Sequence, residues 1–195
     1  ILSLLYHGYY PVIEEAIVNG LFNVISIFTT TGFTDQSYNY WPGCLPIMIM
    51  LLGIMGACGG STTGGVKIMR VLLLQKQISR EVKQLVHPEA IYPLKFGGNI
   101  LPILIVESIW AFIAVYLGLY LLVILLFMST GLNFESAFGT AVASLSNVGA
   151  GVGSDPYNYA HLTSFAKGLF IFDMLAGRLE VFTLLVLFSP SFWRS

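Results

Sequence analysis

Charged side chains are scarce in this sequence: Lys, Arg, Asp and Glu make up 10% of its 195 residues, against about 25% in ordinary soluble domains. Hydrophobic residues account for 56%. The formal net charge is −1, so the chain has no basic surplus of the kind that proteins use to bind nucleic acid. This composition excludes a nucleic-acid-binding module and predicts a chain surrounded by membrane lipid.

Cysteine is also rare, and Cys44 and Cys58 are too far apart to form a CxxC unit. No His or acidic cluster accompanies them, which excludes a zinc site and a disulfide scaffold. The Gly-rich segment 60–67 is not a nucleotide-binding loop, because Val66 follows Gly65 where the Walker pattern requires lysine. With no nucleophile–base pair either, we predict neither an enzyme nor a bound cofactor.

Three apolar stretches predict membrane-crossing elements, because a helix needs about 20 apolar residues to cross the hydrocarbon core of a bilayer. Segments 101–128 and 162–188 meet this length directly. Segment 42–78 is interrupted by a run of Gly, Ser and Thr, which is tolerated inside a membrane only where protein or water satisfies the backbone. We predict two continuous helices and one inner helix that is broken near mid-depth.

Basic residues are concentrated in one part of the chain. Six of the nine Lys and Arg residues lie there, namely Lys67, Arg70, Lys76, Arg80, Lys83 and Lys95. The positive-inside rule places this part in the cytoplasm. We assign residues 79–100 to a basic cytoplasmic linker between the two parts of the chain. Apolar residues recur at helical spacing, which predicts an amphipathic helix along the inner surface as far as His87. Its cationic face is interpreted either as a solvated surface or as a docking site for a cytosolic partner.

Two shorter apolar helices, predicted at 12–28 and 134–145, are each followed by a polar Gly-containing loop, at 29–33 and 146–151. A helix over 134–145 is only about 18 Å long, and both neighbouring spans end on the same side of the membrane, so this helix must be re-entrant. The loops align with an offset of 149 − 32, or 117, between their glycines. An internal duplication is the simplest explanation.

These loops are suited to removing the water shell of a cation. Backbone carbonyls can replace the hydration shell of a potassium ion, and glycine permits the φ values that turn successive carbonyls toward one axis. The C-terminal end of each short helix adds a negative dipole at the same place. The sequence therefore predicts an all-α membrane protein, built from tandem helix–pore loop–helix repeats with re-entrant pore helices.

Five separated motifs resemble the TrkH/KtrB potassium-transporter superfamily, and in particular its TrkH branch. They are FTTTGF at 28–33, GGVK at 64–67, REVKQLVHP at 80–88, NVG at 147–149 and GRLEVFT at 177–183. They occur in the family's order and cover nearly the whole chain. Proteins of this family have four non-identical pore repeats around one pore, and this chain resembles the third repeat, at 1–78, and the fourth, at 101–195.

The resemblance implies uptake of potassium, as substrate rather than cofactor, across a bacterial inner membrane by a multi-pass protein. It also implies a homodimer regulated by a cytosolic nucleotide-binding ring of TrkA type. The two N-terminal pore repeats of the family are not in this sequence, which begins Ile1-Leu2-Ser3 without an initiator methionine or a basic leader. We expect them to precede it in a longer chain.

By motif position, the resemblance assigns a selectivity filter to Thr30, Thr31, Gly32, Asn147, Val148 and Gly149, with potassium bound at Thr30, Thr31, Asn147 and Val148. It assigns an intramembrane gate to Gly59, Gly60, Ser61, Thr62, Thr63, Gly64 and Gly65, which Arg178 would face. Asp173 departs from the family, where a neutral polar residue is expected. A purely structural ion pair of Arg178 with Asp173 or Glu180 is the competing interpretation.

Two alternative functions remain open. A non-conducting structural or receptor-like membrane subunit is one, although it would need neither two such loops nor a Gly-rich break. A secondary transporter is the other. Secondary transporters also use broken helices and internal repeats, with a substrate site near mid-membrane. Such a protein would couple a cation to another solute or ion. Its repeats are commonly inverted, whereas both copies here run in the same direction.

Overall fold

The computed structural model describes residues 4, 10, 12–34, 38–56, 64–90, 92–97, 99–153, 159–179, 183, 186, 192 and 193. Within these ranges the chain forms six helices, with a 3-10 turn at Tyr38–Tyr40 and a small hairpin. The helices are α1 (Ile13–Phe28), α2 (Leu45–Met55), α3 (Ile68–Val86), α4 (Ile103–Ser129), α5 (Phe134–Leu145) and α6 (Ser164–Arg178). The hairpin pairs β1 (Lys95–Phe96) with β2 (Asn99–Ile100) in antiparallel register.

Helix α4 is the long apolar element of the structure. Among the described residues, its segment Leu104–Ser129 is the one helix long and apolar enough to cross a membrane, and α2 is a shorter apolar helix. Only a third of the apolar window in this segment is buried inside the chain, so most of α4 presents aliphatic side chains outward. That pattern differs from a soluble core helix, whose apolar face is mostly covered.

Helix α5 occupies the centre of the fold, packed between α4 and α6 and also touching α2. Every residue from Gly139 to Leu145 is buried. Small residues allow the neighbouring backbones to approach closely. The hydroxyls of this helix are satisfied locally, because Thr140 donates to the Ser136 carbonyl at 2.7 Å and Ser144 to the Thr140 carbonyl at 2.9 Å.

Helix α2 supports both short pore-type helices. A Cβ built on Gly53 would lie 3.2 Å from the Ile27 side chain of α1 and 3.7 Å from the Val142 side chain of α5. A larger residue would therefore push the two helices apart. Both helices carry acidic residues in the first turn, Glu14 and Glu15 in α1 and Glu135 in α5, where they complement the positive end of the helix dipole.

The predicted break in the first inner helix lies between α2 and α3. Helix α2 ends at Met55 and is followed by Gly56, which has a φ of 64°. Val66 lies against this end of α2, because its amide donates to the Ile54 carbonyl at 2.9 Å. Lys67, with a φ of 64°, then leads into α3.

The amphipathic helix predicted as far as His87 is observed as α3, which begins at Ile68 and ends at Val86. It lies antiparallel to the first half of α4: Arg70 stacks on Phe112, whereas Gln77, two turns later, lies beside Val106. Packing of Leu73, Leu74 and Gln77 against α4 fixes this direction. The boundary predicted between repeat and linker, at 78 and 79, falls inside α3, because this helix is continuous from Ile68 to Val86.

The predicted inner helix at 162–188 begins at Ser164. Thr163 caps it, since its side-chain oxygen accepts from the Ala166 amide at 3.3 Å. Described helix α6 ends at Arg178. Glu180 and most of the remaining predicted length lie outside the described residues.

Candidate functional site

The two Gly loops that follow α1 and α5 have the same backbone conformation. Thr30 and Asn147 have φ values of 55° and 54°, and Gly32 and Gly149 have values of 81° and 82°. Both pairs are separated by the same 117 positions that align the sequences. Positive φ is uncommon for a non-glycine residue, so its recurrence at Thr30 and Asn147 is a specific structural match.

The hydrogen bonds of the loops repeat as well. The Thr30 amide donates to the Ile27 carbonyl at 3.0 Å, and the Asn147 amide donates to the Ser144 carbonyl at 3.1 Å. Gly32 and Gly149 each donate to the residue six positions earlier, at 3.4 and 3.2 Å. The amides thus point back into the pore-type helices.

The loop carbonyls are left available by this arrangement. Within the described residues, no hydrogen bond is accepted by the carbonyls of Thr30, Thr31, Gly32, Asn147, Val148 or Gly149. Unpaired carbonyls inside a membrane protein require another partner. A dehydrated cation meets that requirement, because carbonyl oxygens can take the place of its water ligands.

The two loops touch each other. A Cβ built on Gly32 would collide with the Val148 carbonyl oxygen, so only glycine fits at this position. The C-terminal ends of α1 and α5 both lead into this contact, and each contributes a partial negative charge there. The arrangement favours a cation and opposes an anion.

A second connection holds the loops in register. The Asn39 side chain both donates to the Gly153 carbonyl, at 2.7 Å, and accepts from the Gly153 amide, at 2.9 Å. The buried Tyr38 hydroxyl donates to the Gly151 carbonyl at 2.5 Å. In the sequence, the polar side chains of this Tyr-Asn-Tyr segment between apolar elements were the available signal of a contact.

The predicted gate loop is described only at its end. Gly59, Gly60, Ser61, Thr62 and Thr63 lie outside the described residues. Gly64 packs directly on the backbone of Ser146, where a Cβ would collide with the carbonyl. Gly65 lies against α2, because its Cβ would be 2.7 Å from the Ile54 carbonyl oxygen. The end of the loop therefore contacts the first residue of the second predicted filter segment, 146–151.

Helix α6 approaches the same filter segment from another side. A Cβ on Gly177 would collide with the Leu145 carbonyl oxygen and lie 2.8 Å from Nδ2 of Asn147. The same nitrogen donates to the Met174 carbonyl at 3.2 Å. Arg178 follows Gly177 directly and has an exposed side chain. It is thus placed one residue from the contact between α6 and the filter segment.

Asp173 does not pair with Arg178. Its side chain is 1% exposed and both carboxylate oxygens lack a hydrogen-bond partner within the described part of the chain. The Ser144 hydroxyl faces the carboxylate but donates to helix carbonyls instead. The structural ion pair of Arg178 with Asp173 is therefore not formed.

A column of aromatic residues on α4 was missed by sequence analysis. Phe112 and Tyr116 stack with ring centroids 5.5 Å apart, and Tyr116 meets Tyr120 edge-on at 5.1 Å. At one end the Arg70 guanidinium lies 3.8 Å from the Phe112 ring centroid, and at the other the Tyr120 hydroxyl bonds Ser146 at 2.6 Å. The column links α3 to Ser146 at the start of the second Gly loop. Aromatic residues every four positions in an otherwise aliphatic helix were the available sequence signal.

Replacing Tyr120 with phenylalanine should destabilise the protein by about 1–2 kcal/mol, because it leaves a buried Ser146 hydroxyl without its partner. Ser146→Ala should have a similar effect. The double variant should lose less than the sum of the two single variants, since both remove the same bond. Thermal unfolding of the complete chain in detergent measures this, with Tyr40→Phe, at a residue 73% exposed, as the control. Additive losses would contradict a coupled pair.

The sequence matches a family model and several known proteins. The family model described as TrkH, a cation transport protein, matches residues 8–195. The Trk system potassium uptake proteins TrkH of Salmonella typhimurium and of Escherichia coli K12 are each 44% identical over 193 residues, which is 99% of this chain and 40% of theirs. The chain therefore spans about 40% of the length of these relatives.

The fold matches a solved structure. The crystal structure of the potassium transporter TrkH from Vibrio parahaemolyticus superposes with a TM-score of 0.91 and 41% sequence identity, over 98% of this chain and 41% of that chain. This match confirms the predicted all-α membrane fold. The relatives are transporters and not enzymes, which agrees with the prediction from the sequence.

Proposed function

Because the chain belongs to the TrkH family of cation transport proteins, we propose that it supplies two of the filter segments in a pathway for potassium uptake across the bacterial inner membrane. The family assignment made from the five motifs is confirmed. The observation that carries the proposal is the matched conformation of the two loops, whose carbonyls accept no hydrogen bond from any described residue, together with the close contact between Gly32 and Val148.

Potassium is the proposed ligand of the filter residues Thr30, Thr31, Asn147 and Val148, with Gly32 and Gly149 shaping the backbone. Two segments cannot surround an ion by themselves. We therefore assign 1–78 and 101–195 as the third and fourth pore repeats, with the first and second supplied by the preceding part of the complete chain. The relatives' length, about two and a half times that of this chain, leaves room for both.

The direction in which the ring continues follows from the glycine contacts. The Cβ side of Gly32 is filled by a carbonyl of the following repeat. On Gly149 a Cβ would meet no described residue within 4 Å. In the complete chain we place a carbonyl of another repeat against Gly149, in the same relation as Val148 to Gly32.

The gate is proposed beneath this filter. It comprises residues 59–65, whose end contacts Ser146, together with Arg178 at the end of α6. A flexible loop and a fixed positive charge near the ion path can each raise the barrier to a cation. A homodimer and a TrkA-type cytosolic ring complete the proposal, and both rest on the family resemblance.

The experiment is ion uptake by the complete chain in liposomes, with potassium measured against sodium. Potassium uptake should exceed sodium uptake, and Gly149→Ala should reduce that preference about tenfold or more, because a Cβ both strains the positive φ and displaces a neighbouring carbonyl. Equal uptake of the two ions by the unaltered protein would refute the proposed filter. An unchanged preference in the variant would refute the placement of another repeat against Gly149.

A further inference from the structure

We propose that a basic pocket between α3 and the β1–β2 hairpin binds the phosphate headgroup of an anionic phospholipid from the inner leaflet. The pocket has a volume of about 460 Å³. The residues that define it chemically are Lys76, Ser79, Arg80, Lys83, Tyr92 and Lys95. This site is separate from the proposed ion path.

The charge of the pocket calls for an anion. Of the lining residues that the structure describes, four are cationic and none is acidic. The nearby acidic residue on α3, Glu81, accepts a hydrogen bond from Gln77, on the side of α3 that packs against α4. Four like charges around one concave surface repel one another, and an anion bound among them relieves that repulsion. Ser79 and Tyr92 add neutral hydroxyl donors of the kind that phosphate oxygens accept from.

The pocket is held open by fixed contacts. The Lys76 ammonium donates to the Lys95 carbonyl at 3.1 Å and lies 5.1 Å from the Phe96 ring centroid. These contacts fasten the hairpin to α3 across the pocket. The Lys76 ammonium and the hairpin backbone are therefore positioned before a ligand arrives, which lowers the entropic cost of binding.

The level of the pocket relative to the membrane favours a lipid over a soluble anion. The hairpin leads within a few residues into the apolar segment of α4 that begins at Leu104, so the pocket lies level with one end of the membrane-spanning helix. Concentration of basic residues makes this the cytoplasmic end. Basic pockets at this level are where acidic headgroups are found.

One face of α3 changes from apolar to basic side chains along the helix, which matches a lipid with an apolar chain and an anionic headgroup. Met69 and Leu72, which precede Lys76 on the same face at helical spacing, are 37% and 41% exposed. They lie toward the membrane interior, because α3 runs antiparallel to α4 and Arg70 is level with Phe112. An acyl chain can cover these two side chains while its phosphate lies among Lys76, Arg80 and Lys83. Free phosphate has no apolar group that could cover Met69 and Leu72.

The test is a binding titration of the complete chain in neutral detergent with phosphatidylglycerol, followed by native mass spectrometry. The double variant Lys76→Gln/Arg80→Gln should bind about 25-fold more weakly, because each basic residue near an anionic lipid surface contributes about fivefold. Arg80→Lys, which keeps the charge, should bind within about threefold of the unaltered protein. Lys167→Gln is the matched control, since it removes a cation on α6 whose ammonium donates to the Ala160 carbonyl, away from the pocket.

Further arms separate the possible sources of phosphate. Phosphatidylcholine should bind weakly, and glycerol phosphate at millimolar concentration should not displace phosphatidylglycerol. Equal binding by the double variant, or equal binding of phosphatidylcholine, would overturn the site. Effective displacement by glycerol phosphate would overturn the lipid assignment in favour of a soluble anion. The binding readout is independent of ion flux, so its failure leaves the proposed filter standing.

Discussion

Gly32→Ala in the complete chain is expected to abolish selective potassium uptake, with at least about a tenfold loss of the preference over sodium. A Cβ at this position collides with the Val148 carbonyl oxygen, which must then move away from its place in the filter. It also opposes the positive φ of 81°, which costs an L-residue roughly 1–2 kcal/mol. The positions of the filter carbonyls determine which ion they can bind as well as water does. Displacement of one carbonyl therefore weakens the discrimination between potassium and sodium.

The matched control for this change is Gly131→Ala. Gly131 has a φ of 94°, and a Cβ there would meet no described atom within 4 Å, so it tests backbone strain without a collision. We expect that variant to retain ion preference, with a modest loss of thermal stability. Uptake measured with potassium and with sodium in liposomes distinguishes the two. If Gly32→Ala kept the full preference, the contact with Val148 would not belong to a filter.

Arg178→Ala is expected to raise basal potassium uptake roughly 15- to 20-fold while leaving the preference over sodium nearly intact. A unit charge about 10 Å from the ion raises the barrier by about 1.7 kcal/mol at an effective dielectric constant of about 20. Its removal lowers that barrier by the same amount. Ion preference should persist, because the carbonyls of both filter loops are untouched.

A second expectation concerns regulation. An arginine can donate several hydrogen bonds to loop carbonyls at once and so hold a closed gate. Arg178→Ala should therefore make uptake depend less on the cytosolic partner, whereas Arg178→Lys should keep the charge barrier but loosen the hold. The measurement is uptake by the complete chain with and without that partner, with Lys167→Ala as the control for loss of a cation. A parallel fall in folded yield and uptake would instead indicate a structural role.

The absence of an Asp173–Arg178 ion pair supports the prediction that Arg178→Ala raises uptake without unfolding the protein. Asp173 is buried on the face of α6 that packs against α5, whereas the Arg178 side chain is exposed at the end of that helix. Removing the arginine therefore does not leave Asp173 as the orphaned half of a buried pair, which is the usual cause of large destabilisation. No described residue pairs with the Asp173 carboxylate.

Local signals were sufficient for the two short helices and for the existence of the two loops. The short helix predicted at 12–28 is observed at Ile13–Phe28, and the one predicted at 134–145 is observed at Phe134–Leu145. Apolar length, acidic first turns and polar Gly loops are properties of neighbouring residues, so they can be read without knowing the fold. The glycines also indicated where φ becomes positive.

The same local signals could not predict the positive φ of Thr30 and Asn147. A threonine in that region is strained, and the surrounding contacts must hold it there. For Asn147 those contacts include the hydrogen bond to Met174, 27 positions away. Such conformations are imposed by tertiary structure, and a sequence pattern does not record them.

The sequence by itself determined the class of protein and the position of the two matched Gly loops, because composition, helix length and glycine placement act over a few residues. Tertiary structure alone decided which groups meet: Gly32 with Val148, Asn39 with Gly153, and Gly64 with Ser146. It also decided that α3 packs along α4, since an amphipathic pattern defines two faces of a helix without specifying what covers either one. Contacts between residues about 80 to 120 positions apart depend on how whole helices pack, and that packing is a property of the folded chain.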